Sequence, residues 1–199
     1  MTKKIKVLAF AGSLREHAVS KRVVKVAIRG AENAGAAVTY VDLRDYPMPI
    51  YNLDDHEKNG FDEHALKLQG LFTQHDGFLI ATPEYNGSLS AALKNAIDWV
   101  SRPSEVHPRS AVFAGKFAAM ISSSPGSLGG VRSLSHLRGV LTSVSVNVLP
   151  REIAVPFAEE KFAGDGEEMI DETMKARLEE LGGLLVEMLK KTHAPSNDY

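Results

Sequence analysis

The segment 82–88, TPEYNGS, combines a rigid proline, an aromatic side chain and a permissive glycine, a set of residues suited to hold a flat ligand. It follows the apolar run 77–81, which is typical of a buried strand, and precedes a segment with helical apolar spacing. Pro83 fixes its own φ, Gly87 lets the backbone come close to a ring, and amides beside Tyr85 can bind the ring's polar edge. The alternative is a plain surface turn, because Asn-Gly is also a hairpin signal.

A second candidate site, the segment 12–20 (GSLREHAVS), offers hydroxyl groups, a guanidinium and free amides at the start of a predicted helix. Unpaired amides and the positive end of the helix dipole favour a phosphate there, and Arg15 can contact it bidentately. The cations Lys21 and Arg22 oppose the dipole, which indicates a negative group nearby, although two solvated surface cations explain them equally well. The glycine and serine at the ends of the segment also fit an ordinary tight turn and helix cap.

A third loop, 122–130 (SSSPGSLGG), is rich in small residues, so its backbone can come close to a ligand. Alone it is a weak signal, because clusters of Ser, Gly and Pro mark loops in general. A phosphate cradle, an aromatic-bearing loop and an amide-rich loop together suit an aromatic mononucleotide.

Other catalytic patterns fit less well. The histidines have no metal-ligand spacing, so we expect no metal site. Ser88 and Ser90 lack the Gly-x-Ser-x-Gly turn that presents a hydrolase nucleophile, which disfavours a covalent hydrolase. Asp98 follows Lys94 by four residues, which favours a helix-face pair over a catalytic acid.

Composition narrows the classes of function. The chain has 199 residues, no cysteine, and 23 Lys plus Arg against 25 Asp plus Glu. The near balance of charge is unlike that of a polybasic nucleic-acid binder, and the absence of cysteine excludes disulfides, thiol redox chemistry and iron–sulfur clusters. Any redox chemistry must then come from a bound cofactor. We see no signal-peptide pattern and no apolar run near the roughly 20 residues that span a bilayer, so we expect a soluble cytoplasmic protein without a membrane partner.

The elements that must position the three loops alternate along the chain. We predict strands at 5–10, 37–42, 77–81, 117–122 and within 144–155, and helices at about 20–34, 62–74, 91–101, 130–143 and 167–191. Such alternation predicts an α/β three-layer sandwich, in which helices cover both faces of a five-stranded parallel sheet. No Gly-x-Gly-x-x-Gly turn follows the first strand, which favours strand order 2-1-3-4-5. Strands 1, 3 and 4 are then neighbours, so the three loops converge beside the switch point.

The remaining segments complete one domain, 1–193, followed by a mobile tail, 194–199. We expect the connections 43–61 and 102–116, each with two prolines, to be loops. The terminal helix should bury one apolar stripe, formed by Ile170, Met174, Leu178, Leu181 and Leu185.

Three motifs resemble the NAD(P)H-dependent FMN reductase family, which includes quinone, azo-dye and chromate reductases with a flavodoxin-like fold. The motifs are Gly12-Ser13-Leu14-Arg15, Pro83-Glu84-Tyr85-Asn86-Gly87 and Leu93-Lys94-Asn95-Ala96-Ile97-Asp98-Trp99, and the resemblance runs from about residue 4 to 155. It implies FMN as cofactor and NADPH or NADH as co-substrate. Family members often have Ser at the position of Ala18 and Asn at that of Ser20, and the segment 104–114 resembles an insertion.

The resemblance also implies roles for individual residues. Ser13, Arg15 and Ser20 would hold the FMN phosphate. Pro83, Glu84, Tyr85, Asn86 and Gly87 would line the isoalloxazine ring, and Ser122 and Gly126 would help to enclose it.

The mechanism that the family implies needs no catalytic residue from the protein. Hydride passes from NAD(P)H to flavin N5 and then to a quinone, an azo compound, chromate or free flavin, in a ping-pong cycle. Family members are usually dimers or tetramers, and the helix bearing Ala91, Ala92, Lys94, Asn95 and Trp99 is a candidate contact unless Trp99 is core. The alternatives are a flavodoxin-type electron carrier, which should be more acidic, and a non-redox nucleotide-binding module, which should purify colourless.

Overall fold

The computed structural model describes residues 4–193, except for the side chains at positions 109, 110 and 193, and the predicted tail lies outside it. The strands are β1 (Lys6–Ala11), β2 (Ala37–Asp42), β3 (Gly77–Pro83), β4 (Phe117–Ser123), β5 (Asn147–Val148) and β6 (Ile153–Val155). The helices are α1 (Val19–Asn33), α2 (Leu53–Asn59), α3 (Glu63–Gln74), α4 (Ala91–Val100), α5 (Arg109–Phe113), α6 (Val131–Ser143) and α7 (Glu172–His193). Short 3-10 helices cover Leu43–Asp45 and Ala158–Lys161.

The sheet is parallel and its order is β2-β1-β3-β4-β5, which confirms the predicted order and the flavodoxin-like layers. Side chains of successive strand residues go to opposite faces, so each central strand supplies two cores. In β1, Val7 and Ala9 enter the core shared with α1 and α7, whereas Leu8 and Phe10 enter the core shared with α3, α4 and α6. Both faces are buried, which is why the central strands read as continuous apolar runs.

The predicted fifth strand, within 144–155, is split in two. β5 pairs with the start of β4 and β6 pairs with its end, which makes six strands where five were predicted. Pro150 has no N–H for the ladder and lies in the interruption. Arg138 donates to the Leu149 carbonyl at 3.0 Å and to the Glu152 carboxylate at 2.6 Å, so the interruption is held from α6.

Helices α1 and α7 pack at close range on one face of the sheet. A Cβ atom at Gly30 would lie 1.8 Å from the backbone oxygen of Glu179, and one at Gly182 would lie 2.0 Å from that of Ala27. Only glycine therefore fits at these two positions. The packing holds α1 directly against α7.

The terminal helix begins at Glu172, later than predicted. Asp171 caps it by accepting a hydrogen bond from the Met174 amide at 2.9 Å, and the amide of Ile170 donates to the Lys161 carbonyl, which holds the preceding residues extended. Ile170 is 57% exposed, so its assignment to the apolar stripe was wrong. The rest of the stripe is buried as predicted: Met174, Leu178, Leu181 and Leu185.

The two long connections contain short helices that were not predicted, α2 within 43–61 and α5 within 102–116. The first connection, 43–61, covers Trp99. Trp99 is 3% exposed and donates from Nε1 to the Pro49 carbonyl at 2.8 Å. Trp99 is thus core within the chain, as the alternative interpretation held. On the same helix, Lys94 and Asp98 form the predicted helix-face pair at 2.7 Å. Within residues 4–193, no helix combines the length and apolar character needed to cross a bilayer.

Candidate functional site

The loops that follow β1, β3, β4 and β6 surround an open cleft at the carboxyl edge of the sheet, with a cavity volume of about 90 Å³. This volume is smaller than that of a typical enclosed small-molecule site, so a ligand here would lie largely in the open part of the cleft. Six of the ten predicted site residues line the cleft: Ser13, Arg15, Ser20, Pro83, Glu84 and Tyr85. The predicted convergence of the three loops therefore exists in the fold.

The first loop is held firmly between β3 and α4. The Gly12 amide donates to the Ala81 carbonyl at 2.8 Å, and the Ser90 hydroxyl donates to the Gly12 carbonyl. A Cβ atom at Gly12 would lie 2.7 Å from the Leu93 Cβ, so the loop is as close to α4 as glycine allows. Ser13 is 2% exposed, and its hydroxyl accepts a hydrogen bond from the amide of Arg15 at 3.3 Å.

The start of α1 leaves polar groups for a ligand. The N-cap residue, Ala18, makes no side-chain cap. The Ser20 hydroxyl is buried and has no hydrogen-bond partner among the described residues. Arg15 is exposed at the rim, and its guanidinium makes no hydrogen bond or ion pair with the part of the chain that the structure describes. An anion at this point would meet a helix N-terminus, an unpaired hydroxyl and a guanidinium.

Lys21 and Arg22 do not line this cleft, and their interpretation as solvated surface cations was wrong. The expected negative group does lie near Lys21, but it is the carboxylate of Asp42. Lys21 is 6% exposed and its Nζ lies 2.7 Å from Oδ2 of Asp42. Arg22 donates to the carbonyls of Gly164 and Gly166 at 2.8 and 3.0 Å, and its guanidinium lies 4.4 Å from the centroid of the Phe162 ring. Both cations thus bind groups within the fold, so neither is freely solvated.

The loop after β3 forms a tight hairpin, as its Asn-Gly signal allowed. The amides of Tyr85 and Ser88 each donate to the other residue's carbonyl, at 2.9 and 3.1 Å. Asn86 and Gly87 form the turn with φ of 51° and 78°, conformations typical of a type I′ turn. Both turn residues lie outside the cleft lining, whereas Pro83 and Tyr85 line it and Tyr85 is 49% exposed. The hairpin is therefore both a turn and a wall of the cleft.

The Glu84 carboxylate is directed to the protein itself. Its side chain is 8% exposed and accepts hydrogen bonds from Nη2 and Nε of Arg132, at 2.6 and 2.9 Å, and from the amides of Arg132 and Ser133, at 3.1 and 3.3 Å. Burial alone would raise the pKa of Glu84, but these hydrogen bonds outweigh it and hold the pKa below its usual value. The carboxylate is therefore not available to a ligand, which could contact only the backbone and the methylene groups of Glu84.

The third loop contributes different residues from those predicted. The Ser122 hydroxyl is buried and donates to the Gly129 carbonyl at 2.8 Å, and Gly126 lies outside the cleft lining. Ser123, Ser124 and Pro125 line the cleft instead. Adjacent strand residues point to opposite faces, so a shift of one position at the end of β4 decides which serine faces the ligand.

Sequence reasoning also missed the loop after β6. Ala158 and Glu159 line the cleft, and the Ala158 amide donates to the Ser124 carbonyl at 3.1 Å. The signal that could have found this loop is topological. Every loop at the carboxyl end of a parallel strand reaches the same edge of the sheet, including the loop after the fifth strand.

Comparisons with known proteins agree with this arrangement. A family model described as NADPH-dependent FMN reductase matches residues 5–160. An NAD(P)H-dependent FMN reductase of Pseudomonas aeruginosa is 34% identical over 185 residues, which cover 92% of this chain and 95% of the relative. A probable NADPH:quinone oxidoreductase of Oryza sativa is 33% identical over 90% of this chain and 86% of its own. The solved structure of an NAD(P)H:(acceptor) oxidoreductase from Paracoccus denitrificans superposes with a TM-score of 0.78 at 29% identity, over 94% of this chain and 98% of that one.

Proposed function

This chain belongs to the NADPH-dependent FMN reductase family, an FMN- and NAD(P)H-dependent group of oxidoreductases, and we propose that the cleft at the carboxyl edge of its sheet is the FMN site. The observation that carries the assignment is the Ser20 hydroxyl, which is buried in the first turn of α1 without a partner among the described residues. Leaving such a group unsatisfied costs about 1 to 3 kcal/mol, and a phosphate oxygen would remove that cost.

The residues present fit the cofactor. Ser13, Arg15 and Ser20 would bind the phosphate, with the helix N-terminus supplying further donors. Pro83 and Tyr85 would orient the ring on one side. The segment 123–125, which also lines the cleft, would enclose the ring further.

Within this arrangement the protein binds and orients, and the cofactor supplies the redox chemistry. When bound, FMN supplies two-electron transfer from NAD(P)H to an oxidised acceptor, which the side chains of a cysteine-free chain do not offer. The Tyr85 ring is exposed and the cleft beside it is open, so a flat substrate can reach the proposed ring position. We infer that NAD(P)H and acceptor use the same face in turn.

The names of the relatives support small-molecule acceptors of the quinone or flavin class. We also propose that the protein is a cytoplasmic homodimer or homotetramer. NAD(P)H-dependent chemistry suits the cytoplasm, and the small residues Ala91 and Ala92 on α4 suit a contact between copies.

A visible absorption spectrum of the purified protein, before and after anaerobic addition of NADPH or NADH, tests the function. We expect the bands of oxidised flavin, and their loss on reduction. A protein that stays colourless after incubation with FMN would contradict the proposal. Bound flavin that neither NADH nor NADPH reduces would favour an electron carrier instead.

A further inference from the structure

Helix α6 holds the hairpin of residues 84–88 through two side chains one turn apart. Arg132 contacts the Glu84 carboxylate at 2.6 Å, and Nδ1 of His136 lies 2.9 Å from the Ser88 hydroxyl oxygen. We propose that Arg132 and His136 are positioning residues, which set the orientation of Tyr85 at the cleft and thereby the affinity for the flavin ring. This inference rests on the function proposed above.

The hairpin needs an external support of this kind. An isolated two-stranded hairpin is marginally stable at best in water, even with a favourable Asn-Gly turn. The Tyr85 side chain makes no hydrogen bond or ring contact with the part of the chain that the structure describes. The direction of the Tyr85 side chain therefore depends on the backbone of the hairpin. The residues at the two ends of the hairpin, Glu84 and Ser88, contact α6 through their side chains.

The contact also supports α6. Its N-cap residue is Gly130, which has no side chain to accept from the first free amides. The Glu84 carboxylate accepts from the amides of Arg132 and Ser133, so it caps the helix from another element and places a negative charge at the positive end of the dipole. The loop between β4 and α6, which includes the cleft residues 124 and 125, is thus tied to the hairpin.

The second link does not depend on charge. A serine hydroxyl can donate to an imidazole nitrogen or accept from it, so the contact between His136 and Ser88 can form in either protonation state. Arg132 and His136 together fix the two ends of the hairpin. Loss of either should loosen the Tyr85–Ser88 pair of backbone hydrogen bonds.

The test uses Arg132→Gln and His136→Ala in the full chain, with Arg151→Gln as matched control. Arg151 also pairs with a glutamate, Glu180, at 2.6 Å, but it lies outside the cleft lining. In the apoprotein we expect faster hydrogen exchange at the amides of Tyr85 and Ser88 in both variants and no change in the control. FMN and riboflavin should both bind about three- to tenfold more weakly, because the hairpin contacts the ring that they share.

Unchanged exchange at Tyr85 and Ser88 in both variants would overturn the inference, as would a loss of FMN affinity without a loss of riboflavin affinity. Arg132→Lys keeps a cation beside Glu84 and should restore part of the affinity. If Arg132→Gln fails to fold, His136→Ala alone decides the test. The His136 side chain is exposed, so its removal should leave the fold intact. A wild-type protein that binds no flavin would instead refute the proposed function, while the exchange measurement would still test the contact with α6.

Discussion

The ammonium of Lys21 lies 2.7 Å from Oδ2 of Asp42, and the two side chains are only 7% and 13% exposed. Asp42 also accepts hydrogen bonds from the amide and the guanidinium of Arg44, at 3.0 and 3.1 Å. Removing one partner of a buried ion pair costs about 3 to 5 kcal/mol. We expect Asp42→Asn to approach that cost in a urea titration, because it leaves Lys21 buried without a counter-charge. Lys21→Met should cost less, since Asp42 keeps Arg44.

The same pair gives a pH dependence with a definite sign. Burial alone would raise the pKa of Asp42, but the hydrogen bonds from Lys21 and Arg44 lower it below its usual value. The ionised carboxylate therefore stabilises the folded state above the unfolded pKa of about 3.9, and that contribution is lost as the pH falls through the lower folded value. The difference in unfolding free energy between wild type and Asp42→Asn should shrink below about pH 4. A constant difference down to the acid transition would contradict this.

We expect Arg15→Ala to weaken FMN binding by about ten- to a hundredfold, because a charge-assisted hydrogen bond contributes roughly 1.5 to 3 kcal/mol. Riboflavin, which has no phosphate, is the control ligand and should bind almost as before. Fluorescence titration with both ligands makes the comparison. An FMN affinity unchanged within about twofold would remove Arg15 from the phosphate site.

The sequence predicted the sheet and the three converging loops because they depend on apolar runs and on alternation of strands and helices, which are local patterns. Two features depend on partners far along the chain. Asp42 is 21 residues from Lys21, and Glu84 caps a helix that begins 47 residues later. Neither pairing leaves a periodic signal. The choice of Ser123 over Ser122 depends on register at the end of β4, which composition does not determine.

The close packing of α1 against α7 makes Gly182 a sensitive position. Its added Cβ in Gly182→Ala would lie 2.0 Å from the Ala27 carbonyl oxygen, so the helices must separate. Overpacking of this kind typically costs about 1 to 3 kcal/mol. Gly139→Ala is the matched control, because a Cβ at that exposed position of α6 meets no atom within 4 Å. We expect it to stabilise the protein by about 0.5 to 1 kcal/mol, in line with helix propensity. Thermal unfolding of the two apoproteins should shift in opposite directions.

Steady-state kinetics separate an enzyme from a carrier and test the shared face of the cleft. With NAD(P)H and a quinone, the purified protein should turn over without a second protein and give parallel double-reciprocal lines, because each substrate must leave before the other binds. The physical basis is the open cleft at the carboxyl edge of the sheet, in which Tyr85 is exposed beside the proposed ring position. Turnover that requires an added reductase would point to a carrier. Intersecting lines would still indicate an enzyme. They would exclude the shared face, since both substrates would then have to be bound at once.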